Sequence, residues 1–387
     1  MASSMPLAPT PPMGWNSWNM FGSAINEDAV RGTADALIAS GLKDCGYNYI
    51  VIDDCWSVKE SRDSDGNLVA DPEKFPGGMK ALADYVHSLG FKFGIYSDAA
   101  EKTCAGYPGS LGFEEQDAKL WASWDIDFLK YDYCAAPEDQ ATAIERYTTM
   151  GNALKNSGRE FLFSLCEWGG RSPHLWGREA GGHMWRVSGD IFDTWVNVWM
   201  PTWNGYGLGV DVSLDIAADL HSYGGPDRWN DLDMLVVGLK GKGHIPGGGL
   251  TFLEYQTHMS LWAFACSPLM IGCDVRAMDT ETAGLLMNRE VLAINQDALG
   301  IPGYRVKQNR GLEVWRKPLS DGTTAVALFN RGSAGADIKF TASEIGMLDS
   351  SKLVRNLWKQ EDIADFTTDF SCRVQPHETV LLKITGA

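Results

Sequence analysis

The sequence predicts an α/β fold, a (β/α)8 TIM barrel followed by a C-terminal antiparallel β-sandwich domain. Eight short apolar runs alternate with segments of helical periodicity over the first 300 residues. Runs of this kind belong to parallel sheets that helices cover on both faces, and eight such units are typical of the barrel. No Gly-x-Gly-x-x-Gly motif follows the first run, which argues against an open sheet that binds a dinucleotide.

The eight expected strands are rich in Tyr, Ile, Val and Phe, and each run ends in a polar cluster. They cover residues 13–18, 47–54, 92–98, 127–133, 160–167, 184–190, 233–238 and 268–274. The clearest helical segment is 26–42, where Val30, Ala34, Leu37 and Ile38 recur at helical spacing. Similar segments cover residues 77–89, 113–124, 138–154 and 252–263.

The pattern changes after Gly303, where short alternating runs are separated by Gly, Ser and Asp. These runs cover residues 311–319, 323–332, 336–343, 352–360 and 378–386. Alternation at this spacing predicts an antiparallel β domain, most simply a sandwich. We therefore expect an N-terminal tail over residues 1–10, a barrel over 11–300 and the β domain over 304–387.

Composition excludes several classes of function. The 387 residues carry a net charge of −17, which argues against nucleic acid and anionic membranes as partners, because both are polyanions. No apolar run approaches the roughly 18 residues of a membrane span. The N-terminus lacks the features of a signal peptide, so we expect a cytoplasmic protein or a secreted one whose signal has been removed. The eight cysteines include no C-x-x-C pair, so we expect no zinc site.

Polar side chains end at least six of the expected strands, at the face where barrels hold their active sites. They are Trp15 and Trp18, Asp53 and Asp54, Tyr96 and Asp98, Lys130 to Asp132, Glu167 and Trp168, Arg186 and Asp190, and Asp274. A single Asp at a strand end is more often a helix cap or turn residue, but capping does not account for six strands. Carboxylates beside tryptophan rings are typical of a sugar site, and glycoside hydrolysis requires two carboxyl groups.

Eight motifs at these strand ends resemble those of family 27 glycoside hydrolases, the melibiase-type α-galactosidases. The motifs are PPMGWNSWN (11–19), YIVIDDCW (49–56), FGIYSDA (93–99), FLKYDYC (128–134), SLCEWG (164–169), WRVSGDI (185–191), RWNDLDML (228–235) and INQDALG (294–300). The resemblance covers essentially the whole chain. It implies a retaining α-galactosidase that releases terminal α-linked galactose from oligosaccharides or glycoconjugates by double displacement. It also implies that the reaction requires no metal and no organic cofactor.

The resemblance also implies a role for individual residues. Asp132 is expected to be the nucleophile and Asp190 the general acid and base. The expected substrate-binding residues are Trp15, Asp53, Asp54, Tyr96, Lys130, Glu167 and Arg186. Among them Trp15 is expected to wall the sugar and Glu167 to lie near its 2-hydroxyl. Lys130 and Arg186 are expected to lower the pKa of Asp132 and so keep the nucleophile ionised. Cys104 and Cys134 match a family disulfide.

Three alternative functions remain open at this point. A β-L-arabinopyranosidase of the same family would have an altered acidic pair, whereas Asp53 and Asp54 are both present. An α-N-acetylgalactosaminidase would have a small residue in place of Glu167. A catalytically inactive galactoside-binding protein would need neither Asp132 nor Asp190. The sequence does not distinguish a monomer from a homo-oligomer.

Three departures from the family pattern affect the expected site. Cys55 lacks its usual partner, so it either pairs with Cys45 or both remain free thiols. Asp231 stands in a motif that lacks the family's proline, and we expect it to be structural. The glycine-rich segment 240–251 is expected to shape access to the site, and residues 170–172 to influence which substrates enter it.

Overall fold

The computed structural model of the protein describes residues 6–200, 205–348 and 350–386. Its first ten strands are β1 (Met13–Asn16), β2 (Tyr49–Val51), β3 (Lys92–Asp98), β4 (Phe128–Asp132), β5 (Leu162–Cys166), β6 (Met184–Arg186), β7 (Val198–Met200), β8 (Gly205–Gly207), β9 (Trp229–Asp231) and β10 (Leu269–Ile271). Eight of these form one parallel sheet in the order β10-β1-β2-β3-β4-β5-β6-β9. Strands β7 and β8 form a separate antiparallel hairpin.

The sheet register brings the carboxyl ends of the central strands together. Asp98 at the end of β3 lies opposite Asp132 at the end of β4, and Asp132 lies opposite Cys166 at the end of β5. On the other side, Trp15 of β1 lies opposite Ile50 of β2. The polar residues that follow these strands therefore lie at the same edge of the sheet, where the carboxyl ends of the strands meet, as the sequence predicts.

The seventh strand is not where the sequence predicts it. Strand β9 covers Trp229–Asp231, whereas the apolar run begins at residue 233. Asp233 has a φ of 80°, in the left-handed region, which interrupts an extended strand. The residues after this break are buried, and Leu235 forms an isolated parallel bridge with Ile271 of β10. Each of the other seven predicted runs contains a strand of the sheet.

Nine helices connect and follow these strands in the described part of the chain. They are α1 (Trp18–Phe21), α2 (Glu27–Ala39), α3 (Gly78–Ser88), α4 (Glu114–Ser123), α5 (Gln140–Asn156), α6 (Val210–Leu220), α7 (Phe252–Phe264), α8 (Thr280–Leu286) and α9 (Arg289–Asn295). The five predicted helical segments correspond to α2, α3, α4, α5 and α7. Local capping fixes where some of them begin: the Asn26 side chain accepts from the Ala29 N–H at 2.9 Å, and Thr251 and Glu254 form a capping box. No described helix is long and apolar enough to cross a bilayer.

The C-terminal part of the chain is an antiparallel β domain. Its strands are β11 (Tyr304–Asn309), β12 (Leu312–Pro318), β13 (Thr324–Asn330), β14 (Ala336–Thr341), β15 (Lys352–Asn356), β16 (Glu361–Phe366), β17 (Asp369–Val374) and β18 (Thr379–Gly386). Six of them form a sheet in the order β11-β12-β13-β18-β15-β16, and β14 pairs with β17. Side chains of both sheets, including Val326, Phe340 and Val374, form one buried apolar cluster.

The β domain also shares a core with the parallel-sheet region. Trp315, Phe329 and Leu381 belong to the same buried cluster as Trp262 and Phe264 of α7. Because strands alternate their side chains between two faces, one face of β13 and β18 serves the domain's own core and the other packs against α7. The two parts of the protein are therefore joined by buried apolar surface.

Candidate active site

A cavity of about 770 Å³ opens at the carboxyl ends of the parallel strands. Seven of the nine predicted catalytic and substrate-binding residues line it: Asp53, Asp54, Tyr96, Lys130, Asp132, Arg186 and Asp190. They come from the ends of four different strands and the segments that follow them. The sheet register thus assembles a single polar cavity from residues that lie up to 137 positions apart in the sequence.

One wall of the cavity is a buried ion pair. Lys130 Nζ lies 2.7 Å from Asp53 Oδ2, which also accepts from Asn16 Nδ2 at 2.8 Å. Burial lowers the pKa of Lys130, but the Asp53 carboxylate outweighs this effect and holds that pKa well above its ordinary value. Lys130 is therefore a fixed cation in the cavity, with Asp53 held beside it as an acceptor.

Asp54 is held mainly by backbone donors. Its Oδ1 accepts from the Cys55 N–H at 2.6 Å, and its Oδ2 accepts from the Ala105 N–H at 3.0 Å. Burial raises the pKa of this carboxyl, although the backbone hydrogen bonds act in the opposite direction. Ala105 follows Cys104, so the loop after β3 contributes directly to the position of Asp54.

The structure confirms the disulfide between Cys104 and Cys134, whose Cα atoms lie 5.1 Å apart. It connects the loop after β3 to the residue just beyond β4. The same two cysteines lie close to Asp98 and Asp132, but their sulfur atoms are bonded to each other rather than available to a metal. Cys45 and Cys55 are free thiols, which resolves the alternative that the sequence left open.

Asp132 is enclosed at the centre of the cavity floor. Its Oδ2 accepts from Tyr96 Oη at 3.0 Å and its Oδ1 from the Tyr133 N–H at 3.0 Å. Burial raises the pKa of Asp132 to about 7, against the opposing effect of Lys130, and the charge of Asp190 raises it further. Lys130 lowers this pKa as predicted, but the expected net lowering is wrong, because removal of the carboxylate from water outweighs the effect of the cation.

A second carboxyl group lies directly behind Asp132. Asp98 is fully buried and accepts from the backbone N–H groups of Ala100 at 2.9 Å and Cys134 at 3.0 Å. Burial, together with the charge of Asp132, raises the pKa of Asp98 to about 8. A negative charge on either of these two carboxyls therefore disfavours ionisation of the other.

Asp190 lies at the mouth of the cavity, with 43% of its side chain exposed. Its Oδ1 accepts from Arg186 Nη2 at 3.0 Å, and the same nitrogen lies 2.8 Å from Asp233 Oδ2. Asp233 in turn accepts from the Ile191 N–H at 2.8 Å. Arg186 therefore holds the Asp190 side chain, and Asp233 holds the backbone of the next residue, Ile191.

Two predicted residues do not line the cavity. Trp15 is completely buried, and its indole N–H donates to the Cys273 carbonyl at 3.0 Å, so it packs in the core rather than against a ligand. Glu167 is also completely buried, and its Oε2 accepts from the Arg171 N–H at 2.7 Å. The expectation for Trp15 is wrong because its side chain points from β1 into the core, whereas Trp18 lies beyond the strand, at the start of α1. The expected role of Glu167 near the 2-hydroxyl stays a prediction.

The positions that do face the cavity are close by in sequence. Trp18 and Trp168 line it, three residues after Trp15 and one residue after Glu167. The His244 ring packs edge-on against Trp18 with centroids 4.8 Å apart, and Ile245 also lines the cavity. The glycine-rich segment therefore contributes to the cavity rim. Asp233 is a further lining residue that the sequence analysis did not select, and Asp231 accepts from its backbone N–H at 2.9 Å.

Two protein-family models match the chain. The model described as "Alpha galactosidase A" matches residues 10–297, and the model described as "Alpha galactosidase C-terminal beta sandwich domain" matches residues 309–384. The chain belongs to the melibiase family, glycoside hydrolase family 27. The resemblance inferred from the strand-end motifs is thereby confirmed.

Several members of the melibiase family cover nearly the whole chain. The "Alpha-galactosidase 2" of Arabidopsis thaliana is 49% identical over 98% of this chain and 90% of its own length. The "Alpha-galactosidase" of Cyamopsis tetragonoloba is 47% identical over 98% of this chain and 87% of its own length. The structure of an α-galactosidase from Saccharomyces cerevisiae with raffinose has a TM-score of 0.91 and 33% identity, over 98% of each chain.

Proposed function

We propose that the protein is a retaining α-galactosidase that hydrolyses terminal α-linked galactose from oligosaccharides or other galactosides. The observation that carries this proposal is the presence of Asp132 and Asp190 in the lining of one cavity at the carboxyl ends of the parallel strands. Curated relatives at 47% and 49% identity are named α-galactosidases, and the yeast structure contains raffinose, an α-galactoside.

The two carboxyl groups have environments suited to different tasks. Asp132 is enclosed and oriented by Tyr96 and the Tyr133 N–H, as required of a nucleophile that attacks the anomeric carbon. Asp190 is at the solvent-exposed mouth, where a leaving group departs and water enters. In the proposed reaction Asp190 protonates the departing oxygen while Asp132 forms a β-galactosyl ester. Asp190 then deprotonates water, which attacks the ester and restores the α configuration.

Other residues that line the cavity supply the groups that bind galactose. Asp53 and Asp54 present carboxylate oxygens as acceptors for hydroxyl groups, and Lys130 presents a donor fixed by its ion pair. Trp18 and Trp168 supply flat apolar surface for the C–H face of the sugar. Arg186 has a different proposed role, since its guanidinium is bonded to Asp190 and Asp233 and orients the acid.

Kinetics on three p-nitrophenyl glycosides test the proposal. We expect the α-galactoside to be hydrolysed with a kcat/KM at least about 100-fold above those of the β-L-arabinopyranoside and the α-N-acetylgalactosaminide, a difference of roughly 3 kcal/mol in transition-state binding. A higher kcat/KM for either alternative would reject the galactosidase assignment. No turnover of any of the three would instead support an inactive binding protein.

We also propose that the parallel sheet closes into a (β/α)8 barrel and that the β domain is a sandwich. The Leu235 N–H donates to the Met270 carbonyl at 2.8 Å, and the Gly272 N–H donates to the Leu235 carbonyl at 3.0 Å. These bonds connect the segment just after β9 to β10, the two ends of the sheet. The proposed boundaries are a tail over residues 1–10, the barrel over 11–300 and the sandwich over 304–387.

A further inference from the structure

The segment that carries Asp190 extends from the parallel-sheet region to the C-terminal β domain. We call residues 187–195 the Asp190 segment. Its last residue, Trp195, packs against two aromatic rings of the β domain. The His377 ring is stacked on it, with centroids 4.5 Å apart and planes inclined by 11°, and Phe329 contacts it edge-on at 6.0 Å. One end of the segment is thus at the proposed acid and the other is on the β domain.

His377 is itself fixed in place. It lies in the turn between β17 and β18, and its Nδ1 is 2.6 Å from Glu254 Oε1. Its carbonyl accepts from Thr257 Oγ1 at 2.7 Å. Both partners belong to α7, so the ring that supports Trp195 is held by the domain interface.

Little freedom remains between Trp195 and Asp190. Asp193 is completely buried, and its carboxylate accepts from Tyr255 Oη at 2.9 Å and from the Gly241 N–H at 2.7 Å. At the other end, the Ile191 N–H is bonded to Asp233. Ile191, Asp193 and Trp195 are thus each held by a neighbouring element, so Trp195 and Asp190 are joined by a short segment of fixed backbone.

A second contact holds the same region from the β domain. Arg331 Nη1 donates to the Asp211 carbonyl at 2.6 Å, and the Asp211 N–H donates to the Trp195 carbonyl at 3.2 Å. The Arg331 guanidinium is fixed by Glu313, a completely buried carboxylate 2.7 Å from Nε. The β domain therefore contacts the Trp195 ring directly and holds the Trp195 carbonyl indirectly, through Arg331 and Asp211.

We infer that the C-terminal β domain positions the general acid, with His377 acting as a positioning residue through its stacking on Trp195. This inference rests on the proposed function, since it takes Asp190 as the proton donor. Proton transfer depends steeply on geometry. Loss of the stacking ring therefore affects protonation of the leaving group more than it affects attack by Asp132.

The dependence of kcat/KM on the leaving group tests this inference, because a residue with a merely structural role would not change it. A p-nitrophenolate departs with little protonation, whereas an alkoxide such as that from methyl α-galactoside requires it. The ratio of kcat/KM for methyl to p-nitrophenyl α-galactoside therefore reports on proton donation, since kcat/KM includes only steps up to cleavage of the glycosidic bond.

Two substitutions of His377 separate its ring from its hydrogen bond. His377→Gln keeps a polar group toward Glu254 but removes the ring, and we expect it to lower the methyl to p-nitrophenyl ratio about tenfold. His377→Phe keeps a flat ring on Trp195 and is expected to retain a ratio within about twofold of the unsubstituted protein. Trp358→Ala is the control, because it removes a different interdomain contact, the bond from the Trp358 indole N–H to Ser260 Oγ at 2.8 Å, and leaves this ratio unchanged.

Each outcome supports or overturns the inference. If folded His377→Gln has an unchanged kcat/KM ratio, the inference is overturned and the proposed function stands. The same holds if the ratio falls as much in Trp358→Ala as in His377→Gln. Should His377→Gln fail to fold, Trp195→Phe and Trp195→Leu provide the same comparison, with the ratio retained in the first and lowered in the second. An unsubstituted protein that hydrolyses neither galactoside overturns the proposed function and this inference together.

Discussion

At the scale of single residues, the central feature is a buried carboxylate whose ionisation is costly. Burial raises the pKa of Asp132 to about 7, and the nucleophile is active only when deprotonated. In the free enzyme, kcat/KM is therefore expected to fall as the pH drops below about 7. The Tyr96 hydroxyl favours the charged form by donating to it at 3.0 Å.

Removal of that donor tests the assignment. We expect Tyr96→Phe to raise the Asp132 pKa by about one unit, so that the acidic limb of the kcat/KM profile moves to higher pH. The control is Tyr85→Phe, which removes a Tyr hydroxyl from a carboxylate, Asp35, on the outer helices. An acidic limb that stays in place in Tyr96→Phe, or moves equally in both variants, contradicts this role for Tyr96.

The Asp53 and Lys130 pair makes a prediction about stability. Lys130→Met leaves the buried Asp53 carboxylate without its cation, and we expect a loss of about 3–5 kcal/mol in the free energy of unfolding. Combining it with Asp53→Asn removes the stranded charge and is expected to restore part of that loss without restoring activity. Urea unfolding of both single variants and the double variant measures the coupling; full additivity of the two single effects would argue against the pair.

At the scale of elements, the sequence predicts the parallel strands better than the side chains at their ends. Seven of eight predicted runs contain a strand because buried parallel strands are continuously apolar. The seventh predicted run contains no strand of the sheet, because the left-handed backbone at Asp233 cannot be recognised from the pattern of apolar residues. The motif predicts Trp15 as the wall of the cavity, whereas the structure places Trp18 there, because a motif locates a strand end without specifying which side each residue faces. Helices α1, α6, α8 and α9 correspond to no predicted segment, and strands β11, β16 and β17 have weak alternation.

The loop that joins β3 to β4 gives a further prediction. The Cys104–Cys134 disulfide spans 30 residues of sequence, and loop closure of that length corresponds to about 3–4 kcal/mol. We expect the Cys104→Ser, Cys134→Ser double variant to lose that much stability in urea unfolding. Its KM is also expected to rise, since the Ala105 N–H that holds Asp54 belongs to the same loop. Cys45→Ser, at a free thiol, is the control; equal stability of the two variants contradicts the prediction.

At the scale of the whole molecule, the two parts of the chain are expected to fold as one cooperative unit. Apolar side chains of the β domain, among them Trp315, Phe329 and Leu381, belong to the same core as α7. A chain ending at residue 303 exposes the surface that they cover, and we expect it to aggregate or to unfold without a cooperative transition. Calorimetry and size-exclusion chromatography measure this. A monomeric, fully active product of that truncation would contradict both this expectation and the proposed role of the β domain.

The distribution of charged side chains is also a property of the whole molecule. The net charge of −17 is spread over the surface, but a few carboxylates are withdrawn into the cavity beside Lys130 and Arg186. Composition argues only against polyanionic partners; the fold then brings those carboxylates and two tryptophans to one site. Neither the identity of the lining tryptophans nor the raised pKa of Asp132 was available from composition or motifs, because both depend on burial in three dimensions.

The most direct test of the account is chemical rescue of Asp132→Ala. With p-nitrophenyl α-galactoside as substrate, this variant is expected to lose nearly all activity, since no ester can form. Azide small enough to occupy the space of the missing carboxylate attacks the same face of the anomeric carbon and displaces p-nitrophenolate. We expect activity to rise with azide concentration and the product, identified by NMR, to be β-galactosyl azide. An α-galactosyl azide, or full hydrolysis by Asp132→Ala without azide, would contradict the assignment of Asp132 as the nucleophile.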